Sequence, residues 1–235
     1  MGKRITQQAR GKGSLTFRVR PRAYRYKINY PKLNAEGAAK IIKLLDSPAH
    51  SCPLAKIKAG DEIFFCPAAD GVYEGQEIMI NKKRDGDSFE TGDIFRLKDI
   101  PIGTKIFNIE VSPGSGGKYV RSSGCFGMVM NKDKDVEIMI NKRKIKLHED
   151  CRAIIGVVAG DGRLMKPLLK AGKKHYMMLA KGRKWHRTSP VKVNAIDHPF
   201  GGGRGKRIKS KIAKRNAPPG KKVGHLSPKK TGRKR

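Results

Sequence analysis

The sequence predicts an all-β protein, built as two small barrels in tandem with long, irregular, basic extensions at both ends. Three observations support this fold class. About eleven short apolar runs lie between residues 39 and 158, separated by turns rich in Gly, Pro and Asp. A gap near residues 82–92 divides these runs into two groups, each large enough for one small barrel of the oligonucleotide-binding or SH3-like kind. Finally, nearly all of the excess positive charge lies outside this region.

The charge distribution separates a neutral body from two cationic ends. Residues 1–30 contain nine Lys or Arg and no acid, and residues 163–235 contain 24 Lys or Arg and one acid, Asp197. The 132 residues between them hold 20 basic and 19 acidic side chains, or +1 of the formal net charge of +33. Like charges at this density repel each other. We therefore expect both ends to be extended in isolation and to become ordered against a polyanion.

The first element, residues 1–33, is predicted to be a basic arm. Its aromatic residues Tyr24, Tyr26 and Tyr30 alternate with basic ones, Arg22, Arg25 and Lys27. Aromatic rings beside cations suit stacking on bases combined with phosphate pairing. Packing of each tyrosine back onto the body is an equally good interpretation.

The middle of the chain is predicted to form a first barrel over residues 34–91 and a second over residues 92–162. Residues 39–45 have some helix propensity, but the segment is short and its Ile-Ile pair favours a strand. The predicted strands are 39–45, 54–58, 62–66, 76–80, 94–97, 105–111, 118–121, 126–131, 136–141, 144–147 and 153–158.

The last element, residues 163–235, is predicted to be a basic extension rich in Gly and Pro. Residues 166–179 are compatible with a short helix that Gly172 interrupts. Beyond it the segment cannot bury apolar surface by itself, so we expect it to fold on binding.

The four cysteines indicate neither a disulfide framework nor a metal site. They are spaced 14, 59 and 26 residues apart, with no C-x-x-C pair and no His at zinc-finger spacing. We expect reduced, buried thiols and no bound metal.

The sequence has no apolar run of about 20 residues and no apolar segment near Met1, which predicts a cytosolic protein without membrane contact.

Three local motifs could carry chemistry. Gly114 to Lys118 is similar to half of a phosphate loop, but Tyr119 stands where a nucleotide site needs Ser or Thr, so a flexible hairpin that approaches RNA is the better interpretation. Asp197-His198 could perform acid–base chemistry, yet no nucleophile stands at a recognisable elbow beside it. Trp185 lies among basic residues and suits base stacking, with packing against its own body as the alternative.

At this point a family resemblance emerges from three segments. Residues 193–203, VNAIDHPFGGG, resemble a signature of the universal large-ribosomal-subunit protein conventionally numbered two, and so do residues 151–156 and 116–124. Residues 2–13 and 217–225 are similar to the archaeal and eukaryotic branch of this L-two family. The matches run in order along nearly the whole chain.

The resemblance implies a barrel of the oligonucleotide-binding type followed by an SH3-like barrel, both docked on large-subunit rRNA. It implies a cytoplasmic, ribosomal, non-enzymatic protein whose partners are rRNA and other ribosomal proteins, with no small-molecule substrate. It implies no cofactor beyond magnesium ions carried by RNA, and a structural role for His198 near the peptidyl transferase region. The protein as a whole would support that region and subunit association. The candidate rRNA contacts are Arg4, Arg10, Lys12, Arg18, Arg22, Arg25, Lys118, Arg121, Arg152, Arg163, Lys166, Lys170, Lys173, Lys174, Trp185, His186, Arg187, Asn194, His198, Gly201, Gly202, Gly203, Arg204, Lys206 and Arg207.

The sequence also departs from the family pattern. Phe200 stands where bacterial relatives commonly have a second His, and Val193 where Met is usual. The turn at residues 47–51 lacks an Asp-Pro-Gly-Arg-like sequence, which puts RNA contacts of the first barrel in question. An alternative with the same electrostatics is a free RNA-binding chaperone or a chromatin-like nucleic-acid-binding protein. An RNA-modifying enzyme would need a cofactor pocket, for which the sequence offers no residues.

Overall fold

The computed structural model describes residues 2–84, 88–133, 135–206 and 212–224. The chain divides into two compact units. The first, which we call the body, is Pro21–Lys173, and the second, the terminal unit, combines Met1–Arg20 with Lys174–Arg235. The candidate contact Arg207 lies outside the described residues.

Within the described residues the body is dominated by β-structure. Its strands are β1 (Gly37–Leu45), β2 (Leu54–Ala59), β3 (Glu62–Pro67), β4 (Glu77–Ile80), β5 (Ile94–Arg96), β6 (Lys105–Phe107), β7 (Ile109–Glu110), β8 (Gly117–Tyr119), β9 (Gly127–Lys132), β10 (Val136–Ile140), β11 (Arg143–Leu147) and β12 (Arg152–Ile155). The helices are α1 (Thr6–Gly11), α2 (Ala171–Ala180) and a short 3₁₀ turn at Pro190–Lys192. The all-β, barrel-type fold class is confirmed.

Hydrogen bonding joins most strands into one continuous sheet in the order β11-β10-β9-β6-β12-β5-β4-β1-β2-β3, while β7 pairs with β8. The pairs are antiparallel except for β4 with β5, where Ile80 lies opposite Ile94. Short turns join β2 to β3, β9 to β10 and β10 to β11, and these pairs must be antiparallel because parallel strands need longer crossover connections. The β4–β5 contact is where the two predicted groups of strands meet.

Two hydrophobic clusters lie under this sheet. One is built mainly from β1–β4, with Ile41, Leu54 and Ile78 among its fully buried side chains. The other is built from β5 onward, with Phe95 and Ile138 at its centre. Burial alternates along part of β1, β9 and β10, so that one face of each strand points inside, as expected for half-buried sheets. The domain boundary at residues 91 and 92 stays a prediction.

Local backbone chemistry explains where predicted strands end. The predicted strand 105–111 divides into β6 and β7 at Asn108, which adopts a left-handed φ of +51° with its side chain buried. The β10–β11 hairpin closes through Asn141 and Lys142, both with positive φ, as a two-residue turn between twisted strands requires.

The extensions contain more order than like-charge repulsion predicts. Helix α1 forms inside the predicted basic arm, where the Gln8 side chain accepts a hydrogen bond from the Ile5 amide at 3.2 Å. Residues 21–33 belong to the body, since Ala23 and Tyr30 are buried and the Asn29 amide donates to the Phe65 carbonyl at 3.0 Å. Helix α2 begins later than predicted and contains Gly172 without interruption. No helix of the described residues is long and apolar enough to cross a membrane.

Candidate nucleic-acid interface

In the terminal unit, residues 193–202 form a closed loop around His198. The Asp197 amide donates to the Asn194 carbonyl at 3.0 Å, and the Gly202 amide donates to the Val193 carbonyl at 3.0 Å. A third bond, from the Gly201 amide to the His198 carbonyl, measures 2.8 Å. These bonds let an irregular, exposed segment keep a defined shape, because its backbone polar groups have internal partners.

The loop fixes the protonation state of His198. The Phe200 amide N–H donates to the ring Nδ1 at 3.0 Å, so Nδ1 must keep its lone pair and the proton of the neutral ring resides on Nε2. Partial burial lowers the pKa of His198 from its usual value, because desolvation disfavours the imidazolium. His198 is therefore a neutral donor through Nε2–H at pH 7.

Asp197 makes no hydrogen bond to the His198 ring, although the two residues are adjacent in the sequence. Its Oδ1 lies 3.4 Å from Lys3 Nζ, in a partly exposed ion pair. The Lys3 amide also donates to the Ile196 carbonyl at 2.8 Å. These two contacts attach the N-terminal residues to the His198 loop, and Asp197 takes part in this attachment through its ion pair with Lys3.

Glycine at position 201 is required by this loop itself. Gly201 is buried, and a Cβ there would overlap the carbonyl of Asn194 and lie 2.6 Å from the Val193 carbonyl oxygen. Backbone atoms cannot move aside as a flexible side chain can. Gly203, by contrast, faces open space at φ +74°, so its hydrogen side chain leaves the backbone accessible. Glycine at position 201 is thus needed for packing inside the loop, whereas the backbone at Gly203 is open to a close approach from outside.

A cavity of about 670 Å³ opens beside the His198 loop within the terminal unit. Its walls combine apolar side chains with cations and come from three separate stretches of chain. The lining residues include Lys3, Arg4, His198, Phe200, Lys214 and Lys221. Such a lining, cationic with apolar patches, suits a ligand that carries negative charge and flat apolar surfaces.

In the body, the glycine-rich segment 116–124 is a second candidate contact region. The Asn108 amide donates to the Val120 carbonyl at 2.9 Å, the Ser123 amide to Ser51 Oγ at 3.2 Å, and Arg163 Nε to Ser123 Oγ at 2.9 Å. Val120 is held at φ +54°, an uncommon conformation for a β-branched residue. The segment is therefore anchored at Val120 and Ser123, and it presents the exposed cations Lys118 and Arg121.

One predicted rRNA contact, Arg152, is corrected by the structure. Its side chain is 3% exposed and pairs with the fully buried carboxylate of Glu110, NH2 to Oε1 at 2.9 Å. Its NH1 donates to the Pro31 carbonyl at 2.9 Å, and its guanidinium lies over the Tyr30 ring at 4.9 Å. The donors that a phosphate would need are used inside the protein, so Arg152 serves the fold.

Both carboxylate oxygens of Glu110 accept hydrogen bonds, and their donors come from two segments of the chain. It accepts from the amides of Gly114 and Gly116 at 3.4 and 3.0 Å, and from the Arg152 amide at 3.0 Å, in addition to the guanidinium. A buried carboxylate with this many donors is compensated for its lost hydration. The pair ties the 112–117 loop and residues 30–32 to β12. Sequence patterns missed this role because Glu110 and Arg152 are 42 positions apart.

The remaining candidate contacts divide between the two units. Within the terminal unit, the exposed or half-buried ones are Arg4, Arg10, Lys12, Arg18, Lys174, Trp185, His186, Arg187, Asn194, His198, Gly202, Gly203, Arg204 and Lys206. Within the body they are Arg22, Arg25, Lys118, Arg121, Arg163, Lys166, Lys170 and Lys173.

Two features of the structure were not predicted from the sequence, a cation–π pair on the body and a group of lysines around the cavity beside His198. Lys105 lies over the exposed Phe126 ring at 4.8 Å from its centroid, forming a cation–π pair on the body surface. Lys3, Lys214 and Lys221 join His198 around the 670 Å³ cavity. Lysine is so frequent at both ends of the chain that spacing alone gives no reason to select Lys3, Lys214 and Lys221. Lys105 and Phe126 are 21 positions apart, so no local pattern connects them.

The thiols and acids of the described residues form no evident metal site. No group of three or more His, Cys, Asp or Glu in that part of the chain could hold a metal ion. All four cysteines are free, three of them buried and Cys125 half-buried. Burial raises the pKa of Cys52 and Cys151 to about 11 and raises that of Cys66 as well, which makes these thiols unreactive at neutral pH. The expectation that the protein needs no cofactor stays a prediction.

Comparison with known proteins gives the family. The family model described as "Ribosomal Proteins L2, C-terminal domain" matches residues 90–220. The chain is 43% identical over 243 residues to the protein named large ribosomal subunit protein uL2 of Archaeoglobus fulgidus, with 99% of both chains covered. It is 39% identical over 238 residues to the uL2 protein of Sulfurisphaera tokodaii, covering 100% of this chain and 99% of the relative. The uL2 protein of Haloarcula marismortui is likewise 39% identical over 239 residues, covering 99% and 98%.

These similarities extend through the body and both basic extensions, in agreement with the motifs that run along the sequence. The chain therefore belongs to the ribosomal protein L2 family, in its archaeal type.

Proposed function

We propose that this chain is a structural constituent of the large ribosomal subunit, works in the cytoplasm within the ribosome, and binds large-subunit rRNA without being an enzyme. The observation that carries the proposal is the end-to-end identity of 39–43% with proteins named large ribosomal subunit protein uL2. Its partners would be rRNA and other ribosomal proteins.

The charge distribution supports rRNA as the main partner. Of the 53 Lys and Arg, 33 lie in residues 1–30 and 163–235, together with a single acid. Apart from Arg152, which is buried, and Lys174, which is half-buried, the Lys and Arg candidate contacts within the described residues are exposed. Their donors are thus available for phosphate oxygens, and pairing with phosphates releases condensed counterions.

We further propose that His198 contacts RNA near the peptidyl transferase region and takes no part in proton transfer. Three observations support this role: the neutral ring with Nε2–H as its donor, the ion pair that engages Asp197 elsewhere, and the loop of internal hydrogen bonds. A neutral imidazole N–H can donate to a phosphate oxygen or a ribose 2′-hydroxyl. The same terminal unit would support subunit association.

Sedimentation tests the proposal directly. Tagged protein expressed at its normal level should migrate on a sucrose gradient with the large subunit, at one copy per particle, and should stay there at moderate salt. A free RNA chaperone would instead spread over many RNA-containing fractions without fixed stoichiometry. That distribution would refute the ribosomal assignment and favour the alternative.

A further inference from the structure

The segment after helix α2 forms a small aromatic and cationic cavity in the terminal unit. The cavity has a volume of about 490 Å³, within the range of about 300–1,000 Å³ typical of ligand pockets. It is lined by Met178, Arg183, Lys184, Trp185, His186 and Arg187. Its lining includes three cations, Arg183, Lys184 and Arg187, and no carboxylate that could neutralise them.

Helix α2 determines where the cavity begins. Its last turn closes when the Gly182 amide donates to the Leu179 carbonyl at 3.1 Å and the Arg183 amide donates to the Met178 carbonyl at 2.9 Å. Gly182 has φ +61°, the left-handed conformation that ends many helices. Residues 18 and 19 pass so close to Gly182 that a Cβ there would lie 2.9 Å from their backbone. The residues that line the cavity thus leave the helix at a defined point.

The cavity contains two aromatic rings, those of Trp185 and His186, which do not stack on each other. Trp185 and His186 have centroids 5.3 Å apart and planes tilted by 39°, so they do not stack in parallel. His186 adopts φ +69°, a conformation that non-glycine residues rarely take. Backbone strain of this kind is often found where a side chain must be presented to a ligand. Trp185 is half-buried, so part of its ring remains available to a ligand in the cavity.

Arg187 is positioned by one hydrogen bond, in which its Nε donates to the Lys184 carbonyl at 3.3 Å. That bond uses one of the five guanidinium N–H donors. The remaining donors are of the type that pairs with a phosphate in a two-pronged fashion. An indole face next to guanidinium and ammonium groups matches a flat base attached to a negatively charged backbone.

We propose that this cavity binds a single unpaired nucleotide, with its base stacked on Trp185 and its phosphate paired with Arg183 or Arg187. The proposal rests on the proposed function, in which RNA is the partner of this chain. It adds one contact that selects an unpaired nucleotide over a nucleotide in a duplex. A base in a duplex has both faces covered by its neighbours and cannot enter. Because every base has an aromatic face, the site should tolerate any base.

The chain provides its own reporter, since Trp185 is its single tryptophan. Full-length protein would be titrated at constant salt with three RNAs of equal length: a single strand, the same strand with abasic positions, and a duplex. Stacking should quench the indole emission with the single strand, whereas the abasic strand and the duplex should bind with little change in emission. Equal quenching by the abasic strand would refute base stacking.

Substitutions provide the second arm. Trp185→Ala should weaken single-strand binding about 5- to 150-fold, the range measured for loss of one stacked base, while the affinity for the abasic strand stays unchanged. Trp185→Phe keeps a ring and should retain most of the affinity, which guards against loss through misfolding. Tyr176→Ala is the matched control, because Tyr176 also contacts a neighbouring histidine and is 70% exposed, yet does not line the cavity. Full affinity of both Trp185 variants for the single strand would overturn the proposal.

The outcome separates this inference from the function on which it rests. If the protein binds RNA tightly but without preference for unpaired bases, the stacking site is wrong and the RNA-binding function stands. If the protein binds none of the three RNAs, both fail together.

Discussion

At His198, a backbone amide decides which ring nitrogen carries the proton. The Phe200 N–H occupies Nδ1, and protonation of that nitrogen would break the 3.0 Å hydrogen bond and bring two donors together. Burial adds to this effect by disfavouring the charged ring. Both influences keep His198 neutral and leave Nε2–H as the hydrogen-bond donor of the ring.

The first prediction concerns the pH dependence of this ring. A histidine with a lowered pKa in the folded state binds fewer protons than the unfolded chain, so its contribution to stability is present above the unfolded value of about 6.5 and is lost as pH falls through the folded pKa. Nitrogen-15 NMR of the ring should show the Nε2–H tautomer at pH 7 and a midpoint below 6.5. A midpoint above 6.5 would contradict the neutral assignment.

The second prediction tests the role of His198 in translation. His198→Gln keeps a donor and an acceptor but cannot exchange a proton near pH 7. Large subunits carrying it should assemble and form peptide bonds at a rate within a few-fold of the parent, whereas His198→Ala should impair assembly more. A loss of about 10²-fold or more in the chemical step by fully assembled Gln particles is expected for a general acid or base and would favour direct catalysis.

The third prediction concerns Gly201, where a side chain would enter the backbone at residues 193 and 194. Gly201→Ala should open the loop and speed hydrogen exchange of the Gly202 amide, which donates to the Val193 carbonyl, by tenfold or more. Gly172→Ala is the control, since Gly172 lies in helix α2 with open space around its Cα and Ala favours helices by about 1 kcal/mol. Unchanged Gly202 exchange in Gly201→Ala would show that the loop yields easily.

At the scale of elements, the Glu110–Arg152 pair connects β7 and β12 to the 112–117 loop and to residues 30–32. Neither residue belongs to a hydrophobic cluster, yet both are buried within the sheet region. The Glu110 carboxylate positions the glycine-rich loop, and the Arg152 guanidinium positions the segment that leads into the first strand. Local sequence cannot express such a connection, because its parts lie far apart along the chain.

The fourth prediction follows from that burial. Glu110→Ala leaves the Arg152 guanidinium buried without its counter-charge and should destabilise the body by about 3–5 kcal/mol in urea unfolding. Glu137→Ala is the matched control, because Glu137 pairs at 3.5 and 3.9 Å with two lysines that are 67–68% exposed. Exposed pairs contribute at most about 1 kcal/mol. Equal losses in the two variants would show that the buried pair has no special structural role.

At the scale of the whole molecule, charge is unequally divided between the near-neutral middle of the chain and its two ends. The helix α1 and the closed His198 loop show that high charge density does not prevent local order where backbone groups find internal partners. Electrostatic attraction then supplies affinity for RNA along surfaces that already have a shape. We expect this arrangement to make binding strongly dependent on ionic strength.

The fifth prediction quantifies that dependence. If six to ten phosphates are neutralised, rRNA affinity should fall about 10³- to 10⁵-fold between about 50 and 200 mM salt. Deleting residues 225–235 removes five cations and leaves every described residue in place, and should reduce the slope of log affinity against log salt. The control replaces five exposed body lysines, Lys40, Lys43, Lys58, Lys82 and Lys142, with Gln. An equal change in slope would show that the body contributes as much as the C-terminal end.

The sequence by itself determined the all-β class, the positions of most strands and the family. These depend on local signals, namely apolar alternation, turn residues at β-hairpins and motifs read in order. The sequence does not predict the break between β6 and β7 at Asn108, because a single left-handed residue within an apolar run does not change the pattern of apolar and polar residues. The sequence predicts a helix from residue 166, whereas α2 begins at Ala171. The apolar residues before Ala171 favour a helix by their spacing, but they are exposed in the structure.

Only the tertiary structure decided what individual polar residues do. The sequence predicts a phosphate contact at Arg152, but this side chain is buried against Glu110. Asp197 is adjacent to His198 in the sequence, yet its carboxylate pairs with Lys3, and the Phe200 amide donates to Nδ1 of His198. The physical reason is that a charged or polar side chain acts through whichever partner lies within about 3 Å in space. Composition and spacing determine how many such groups a segment has, whereas the fold determines which partner each one meets.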